Sequence, residues 1–329
     1  MTKSQIDKKF IINALLFKQG DQDSLFLKAR QARKNSIFGD KIEIRSVIEF
    51  SNVCNQICNY CGMNRGSKIK RYVLKRDEFL SRVEFIYNRG RRVIVVQSGE
   101  INSGKILMAL CEMIASAKDR FPDIEFIGSF GNLKKDQFKM IKKAGIDRYI
   151  LKFETSNPRL YKSIKPDDTL ANRIKCIRFL KELGFSVGTG NMIGLPGQTI
   201  EDIVNDLVLI GDLGLAMAST SVFIPHSQSK FSSHPPGDID LALNYIALMR
   251  ILYPGTIIPS TSCLEILKGQ SQYLGLMAGA NAITIHDGTP LFFKKLYTIY
   301  NLDRFQPDER FVNRIIKKAK LTPCVSFLR

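Results

Sequence analysis

A (β/α)8 barrel of the TIM type is the fold class this sequence predicts. Two observations carry that prediction. From residue 42 onward, short apolar runs alternate with longer amphipathic stretches, and seven or eight such units fit in the 329 residues. No Pro- or Gly-rich linker interrupts the rhythm, so one domain is expected. Strands separated by helices need right-handed crossovers, which makes the sheet parallel.

Residues 1–40 read as a basic, helical N-terminal extension that breaks at Gly39–Asp40. The barrel should occupy 41–290, and 291–329 should form a helical, basic tail of the same domain. The alternating run Ile42–Phe50 is strand one. Helix Arg76–Asn88 stops at Arg89–Gly90, and strand two is Val93–Val96. Helix Lys105–Ala117 leads to strand three, Ile124–Ile127, and helix Lys135–Lys143 to strand four, Arg148–Glu154. Helix Thr169–Leu183 precedes strand five, Phe185–Gly188, and helix Thr199–Leu213 precedes strand six, Ala218–Ile224. Helix Asp240–Leu252, strand Thr256–Ile258, helix Gln270–Ala278 and strand Ala282–Ile285 complete the series.

Composition bounds the function. A hydrophobic fraction of 44% without polar tracts is that of a globular chain. No apolar run is long enough to span a membrane, and the polar start Met1–Lys9 does not read as a secretion signal, so a cytoplasmic protein is expected. Seven unevenly spaced cysteines suit a reducing compartment better than a disulfide framework. The net charge of +18 would favour an acidic partner or nucleic acid. The lysines nevertheless sit on helix outer faces, as in Lys134–Lys135 and Lys142–Lys143, without the aromatic interleaving of an RNA-binding motif. A nucleic-acid partner is therefore not the favoured reading.

The chemistry starts where strand one ends. Cys54, Cys58 and Cys61 are spaced C-x3-C-x2-C on one loop. Three thiolates can hold three irons of a [4Fe–4S] cluster and leave the fourth iron open, whereas zinc asks for four closing ligands. With the aromatic Tyr60 before the last cysteine, the motif resembles the signature of the radical S-adenosylmethionine enzymes. The resemblance implies that the open iron chelates the amino and carboxylate groups of S-adenosylmethionine. Reductive cleavage then yields a 5′-deoxyadenosyl radical, which acts on a small substrate in the barrel.

It also assigns residues. Ser98–Gly99–Glu100, ending strand two, matches the segment that binds the methionine amino group, and a carboxylate suits an ammonium sheltered from water. Arg173 matches the arginine that pairs with the methionine carboxylate. Glu154 corresponds to an acidic residue near the ribose and amino group, Met192 in Gly190–Gly197 to the adenine contact, and Tyr60 can pack on the adenine too. Substrate contacts implied in the same way are Lys152, Ser260, Thr261, Tyr297 and Tyr300. His226 and His286 each follow a strand and can point into the barrel mouth.

Within that family the run from Glu43 to Tyr300 is most similar to the biotin-synthase-like branch, and there to the [FeFe]-hydrogenase maturases. Stretches such as Ile48–Cys54, Glu154–Pro158, Met192–Thr199, Phe223–His226 and Ala278–Asn281 carry the likeness. Sulfur insertion is argued down by counting thiols. Strand ends two, three and five hold no cysteine for a second cluster, Cys111 and Cys176 fall inside helices, and Cys263 stands alone. Phe153 stands where a histidine is often found, Lys152 where arginine is usual and Asn132 where an acidic residue is usual. The optional C-terminal cysteine cluster is reduced to Cys324.

The implied role is assembly of the hydrogenase diiron centre, on a small-molecule or organometallic substrate. An external donor such as ferredoxin or flavodoxin would supply electrons, and maturation proteins would be partners. The rivals are a methylornithine-synthase-like mutase or other paralogue of the branch, an iron–sulfur RNA-binding or RNA-modifying protein, and a metal-binding scaffold without activity.

Overall fold

The computed structural model describes residues 8–101, 103–300 and 305–328. Two helices, α1 (Lys8–Leu15) and α2 (Gln19–Lys34), precede the long strand β1 (Lys41–Ser51). The alternation then runs α3 (Arg76–Tyr87), β2 (Val93–Ser98), α4 (Gly104–Arg120), β3 (Glu125–Ser129), α5 (Lys135–Ala144) and β4 (Ile146–Ile150). Next come α6 (Pro158–Ile164), α7 (Leu170–Glu182), β5 (Ser186–Ile193), α8 (Ile200–Leu213), β6 (Met217–Val222) and α9 (Ile239–Leu252). The chain ends with α10 (Cys263–Leu267), α11 (Ser271–Met277), β7 (Ala282–Ile285), α12 (Leu291–Lys294), α13 (Glu309–Lys318) and β8 (Thr322–Cys324).

All strand pairs are parallel, in the order β6-β5-β4-β3-β2-β1-β7, with β8 on the start of β1. The strand expected over Thr256–Ile258 is reduced to single bridges, Ile257 to Met217 of β6 and Pro259 to Ala282 of β7. Those bridges span the gap between the two outer strands of the ladder, so the segment takes the seventh place in a barrel-like ring.

Alternation along β1 separates two environments. Ile42, Ile48 and Phe50 join the large core between strands and helices, while Val47 packs inside the ring with Val93, Val95, Ile127, Met217 and Ile257. The inward face also carries Glu43 and Arg45, which meet Arg148 and Glu125 in the floor of the barrel, all buried. Arg148 donates to Glu43 at 2.9 Å and to Glu125 at 2.9 Å, and Arg45 donates to Glu43 at 2.7 Å. Equal numbers of both charges, each hydrogen-bonded, make their removal from water tolerable.

The C-terminal stretch departs from the expected helical tail. After α13 it turns back as β8, and Ser326 reaches into the floor to donate to Glu125 at 2.6 Å while the Phe327 N–H donates to Glu43 at 3.0 Å. Phe327 also packs edge-on against Phe38, with ring centroids 4.6 Å apart. The buried carboxylates below the ring supply acceptors that a solvated helix would not need. Two further departures concern boundaries. β4 stops at Ile150, so Glu154 lies beyond the strand, and β5 continues through Ile193, so Gly190–Met192 are strand residues rather than a loop.

Candidate active site

The C-terminal ends of the strands open onto a cavity of about 410 Å³ inside the ring. Active sites of such barrels sit at this end, because the loops that follow the strands converge there. Cys54, Cys58 and Cys61 all line it. The loop that carries them packs hard against the end of β2. A Cβ on Gly99 would collide with the Val53 carbonyl and the Cys54 side chain, which explains the glycine in Ser98–Gly99–Glu100.

Backbone N–H groups aim at two of the sulfurs, from Glu100 to Cys54 at 3.4 Å and from Met63 to Cys61 at 3.4 Å. Such donors stabilise thiolates. Burial pushes the thiols of Cys58 and Cys61 up; at Cys58 the Lys165 charge pulls the other way and Cys54 adds to the rise, while at Cys61 the Cys58 sulfur adds to it and the Met63 N–H opposes it. Among the described residues no three His, Cys, Asp or Glu side chains close on a single metal ion. A cubane does not require that, since each thiolate takes a different iron. The donor set and its N–H groups fit a [4Fe–4S] cluster.

Beside the cysteines lies a buried charge cluster. Arg173, near the start of α7, donates to Glu100 at 3.1 Å and to the Tyr161 hydroxyl at 2.9 Å, and it pairs with Asp168 at 3.2 Å. Lys165 stands 3.7 Å from the same Glu100 oxygen. Burial opposes the guanidinium charge, but Glu100, Tyr161 and Asp168 outweigh it and hold the pKa above its usual value. Gly131, at φ 78°, lets the chain after β3 pass so close to Glu100 that any Cβ there would strike the carboxylate. Lys165, Asp168 and Tyr161 went unnoticed in the sequence. The only signal was the charged turn between α6 and α7, which reads as a solvated loop.

Glu154 adopts a left-handed φ of 64°, a conformation that costs a non-glycine residue about 1–3 kcal/mol and that concentrates at functional sites. Its N–H donates to Gly190 at 3.0 Å and its carbonyl accepts from Met192 at 2.8 Å, so the turn is bonded to β5 like an added strand. Lys152 pairs with Glu154 at 3.1 Å and donates to Ser221 at 2.7 Å. Tyr60, Ser98, Gly99, Glu100, Arg173 and Met192 line the same cavity, as do Lys152, Thr261, Tyr297 and Tyr300.

Ser260 does not. It is fully buried on the far side, donating to the Gln272 carbonyl at 2.7 Å, because alternation turns it toward α11 while Thr261 faces inward. Of the two histidines, His286 lines the cavity. His226 instead lies against Gly62 and accepts from the Gln228 N–H at 3.1 Å, and burial lowers its pKa. Cys263, the one remaining cysteine that the sequence puts near a strand end, also lines the cavity.

Behind the Glu154 turn, α8 presents the fully buried Asp206, which accepts from the Ser156 N–H and from Asn191 at 2.9 Å. Burial pushes this carboxyl up to about 7, with Ser156 and Asn191 pulling the other way and Asp202 nearby adding to the rise. The folded state therefore keeps a proton that the unfolded chain releases between about pH 4 and pH 7. Stability from this group is complete below that window and lost as pH climbs through it. Asp206→Asn should remove that loss, raising Tm relative to the parent at about pH 8 and leaving a much smaller difference at about pH 5. Asn191 Oδ1 has no hydrogen-bond partner among the described residues, so a flip of its amide can accept from the new side chain. A constant Tm difference across that range in thermal scans would exclude the titration.

The radical SAM superfamily signature matches residues 48–210. Over 306 residues the chain is 34% identical to the [FeFe] hydrogenase maturase subunit HydE of Thermotoga maritima, covering 92% of this chain and 86% of that protein. A biotin synthase of Thermotoga neapolitana is 26% identical over 250 residues, covering 74% of this chain and 88% of that one. The crystal structure of methylornithine synthase (PylB) superposes with a TM-score of 0.84, covering 96% of this chain and 93% of that one at 21% identity, a likeness of fold. The chain belongs to the radical SAM superfamily, and it is an enzyme that works with a [4Fe–4S] cluster and S-adenosylmethionine.

Proposed function

We propose that Cys54, Cys58 and Cys61 hold the cluster and that the chain serves [FeFe]-hydrogenase maturation in the manner of its HydE relative. The carrying observation is that the three sulfurs and the buried Glu100–Arg173 pair open onto one cavity at the strand ends. Cluster and S-adenosylmethionine together supply reductive cleavage to a 5′-deoxyadenosyl radical. The residues do the rest. Glu100 offers a carboxylate to the ammonium of the methionine end, and Arg173 offers a fork to its carboxylate. Both groups are buried and already ordered by each other, Tyr161 and Asp168, so little reorganisation is needed on binding. Glu154 and Met192, tied together through the backbone, would face the nucleoside, with Tyr60 packed beside them.

The remaining wall, with Lys152, Thr261, Tyr297 and Tyr300, would hold a small substrate, which the resemblance to the hydrogenase maturases would make a cysteine-bound organometallic iron species. An external carrier such as ferredoxin or flavodoxin delivers the electron, and the setting is cytoplasmic. Among the described residues no helix is long and apolar enough to cross a membrane.

Protein reconstituted anaerobically with iron and sulfide is expected to release 5′-deoxyadenosine when given dithionite and S-adenosylmethionine. Added to a maturation extract depleted of its own HydE, it should restore hydrogenase activity. Nucleoside release without restoration would assign the same chemistry to another substrate of the biotin-synthase-like branch, such as an amino acid.

A further inference from the structure

We infer that the outer face of the cysteine loop, with Leu291 and Phe292 beside it, is the docking surface for an acidic one-electron carrier protein of the ferredoxin kind. The inference rests on the cluster assignment above. Two segments cover the loop from outside. From α6, the Ile164 and Ser163 carbonyls accept from the Asn59 N–H at 2.9 Å and from its side chain at 2.6 Å. From the stretch after β7, Ile299 accepts from the Gly62 N–H at 2.9 Å, and Leu296 accepts from Asn52 at 2.8 Å. This face is thus bonded directly to residues flanking Cys58 and Cys61.

Beside it, on α12, Leu291 and Phe292 are 80% and 62% exposed. They are not loose. Phe293 stacks on Tyr72 at 4.6 Å between centroids, and the Lys70 ammonium lies 5.1 Å from the Phe292 ring. Two adjacent large apolar side chains held out in water mark a contact surface. Around them charge is one-sided. Residues 62–76 contain Arg65, Lys68, Lys70, Arg71, Lys75 and Arg76 and no carboxylate. Residues 291–300 and 155–166 likewise hold only cations, among them the exposed Lys295, Arg159 and Lys162. Acids adjoin these stretches at Asp77 and Glu78 in the first turn of α3, at Glu154, which pairs with Lys152 at 3.1 Å, and at Asp167, which pairs with Arg65 at 3.3 Å.

A small apolar patch within a basic rim suits a transient protein complex steered by opposite charge. A nucleic acid would instead want a basic track with stacking platforms. The transfer is simple in balance: the reduced carrier gives up one electron, the cluster gains it, and no bond is made or broken.

The test uses reconstituted holoenzyme and a purified acidic ferredoxin, reduced beforehand, with bleaching of the cluster absorbance as the readout. Lys68→Glu/Lys70→Glu should slow ferredoxin-driven bleaching by about tenfold or more at low salt, and added salt should slow the parent protein in the same way. Phe292→Ser should slow it by about threefold to tenfold. Dithionite, which needs no docking, should bleach all three proteins at one rate. Unchanged ferredoxin rates, or equal losses with dithionite, would overturn the proposal, as would loss of tRNA binding alone in the charge-reversed protein. Bleaching requires no S-adenosylmethionine turnover, so failure here is separable from failure of the proposed reaction.

Discussion

Cys58→Ala should leave protein that folds but carries no [4Fe–4S] cluster, with iron and visible absorbance near background and 5′-deoxyadenosine release reduced by at least about a thousandfold. Cys58 is the least exposed of the three loop cysteines and sits between the other two. Cys54 and Cys61 keep their N–H donors from Glu100 and Met63 in this variant, but two thiolates leave two irons without protein ligands. Folding should survive, because the loop is fixed independently. Gly99 accepts its close approach, and Arg71 holds the Asn52 and Met63 carbonyls at 2.7 and 2.8 Å. Cys111→Ser, on α4 and away from the cavity lining, is the matched control and should retain full iron content. Iron quantitation, absorbance spectra and nucleoside assay check both. A complete cubane in Cys58→Ala would remove the ligand assignment.

What could be read from the sequence was what lies close together along it. The three cysteines share one loop, Ser98–Gly99–Glu100 follows directly on its strand, and the alternation of apolar runs is a local property. The floor of the barrel was not readable in that way. Glu43, Arg45, Glu125 and Arg148 come from β1, β3 and β4 and meet Ser326 only when the ring closes, so in the sequence the four look like solvated charges on strands and the serine like an ordinary tail residue. The same reason hid β8, whose pairing with β1 depends on that closure. Asp206 was hidden differently, since a carboxylate on an amphipathic helix is ordinarily on its outer face. Ser260 and Thr261 were indistinguishable by composition. Only the direction of alternation after a strand reduced to single bridges separates the one that faces α11 from the one that faces the cavity. Chemistry carried by contiguous motifs is therefore open to inspection, while chemistry assembled by closure waits for coordinates.

Arg173→Ala should weaken S-adenosylmethionine binding by about a hundredfold to a thousandfold while cluster loading stays normal, because it removes a buried charged donor whose loss costs about 3–4 kcal/mol. The structure makes this variant informative rather than merely damaging. Glu100 retains Lys165 at 3.7 Å, and Asp168 retains Tyr161 at 2.6 Å and the Asn172 and Asn132 amides at 2.8 Å each. No carboxylate is thus stranded without a partner. The α6–α7 turn keeps its own cap, with Thr169 accepting from the Asn172 N–H at 3.2 Å. Loss of the fork should therefore fall on the ligand carboxylate, not on the fold. Glu100→Gln is the complementary change, aimed at the ammonium. If each side chain binds one end of the same methionine moiety, the double variant should lose less than the sum of the two single losses, since either one already frees that end of the ligand. Equilibrium binding of S-adenosylmethionine to reconstituted protein, read beside iron content, decides the matter. Affinity within a factor of about three of the parent would make Arg173 a brace between α6 and α7 and nothing more.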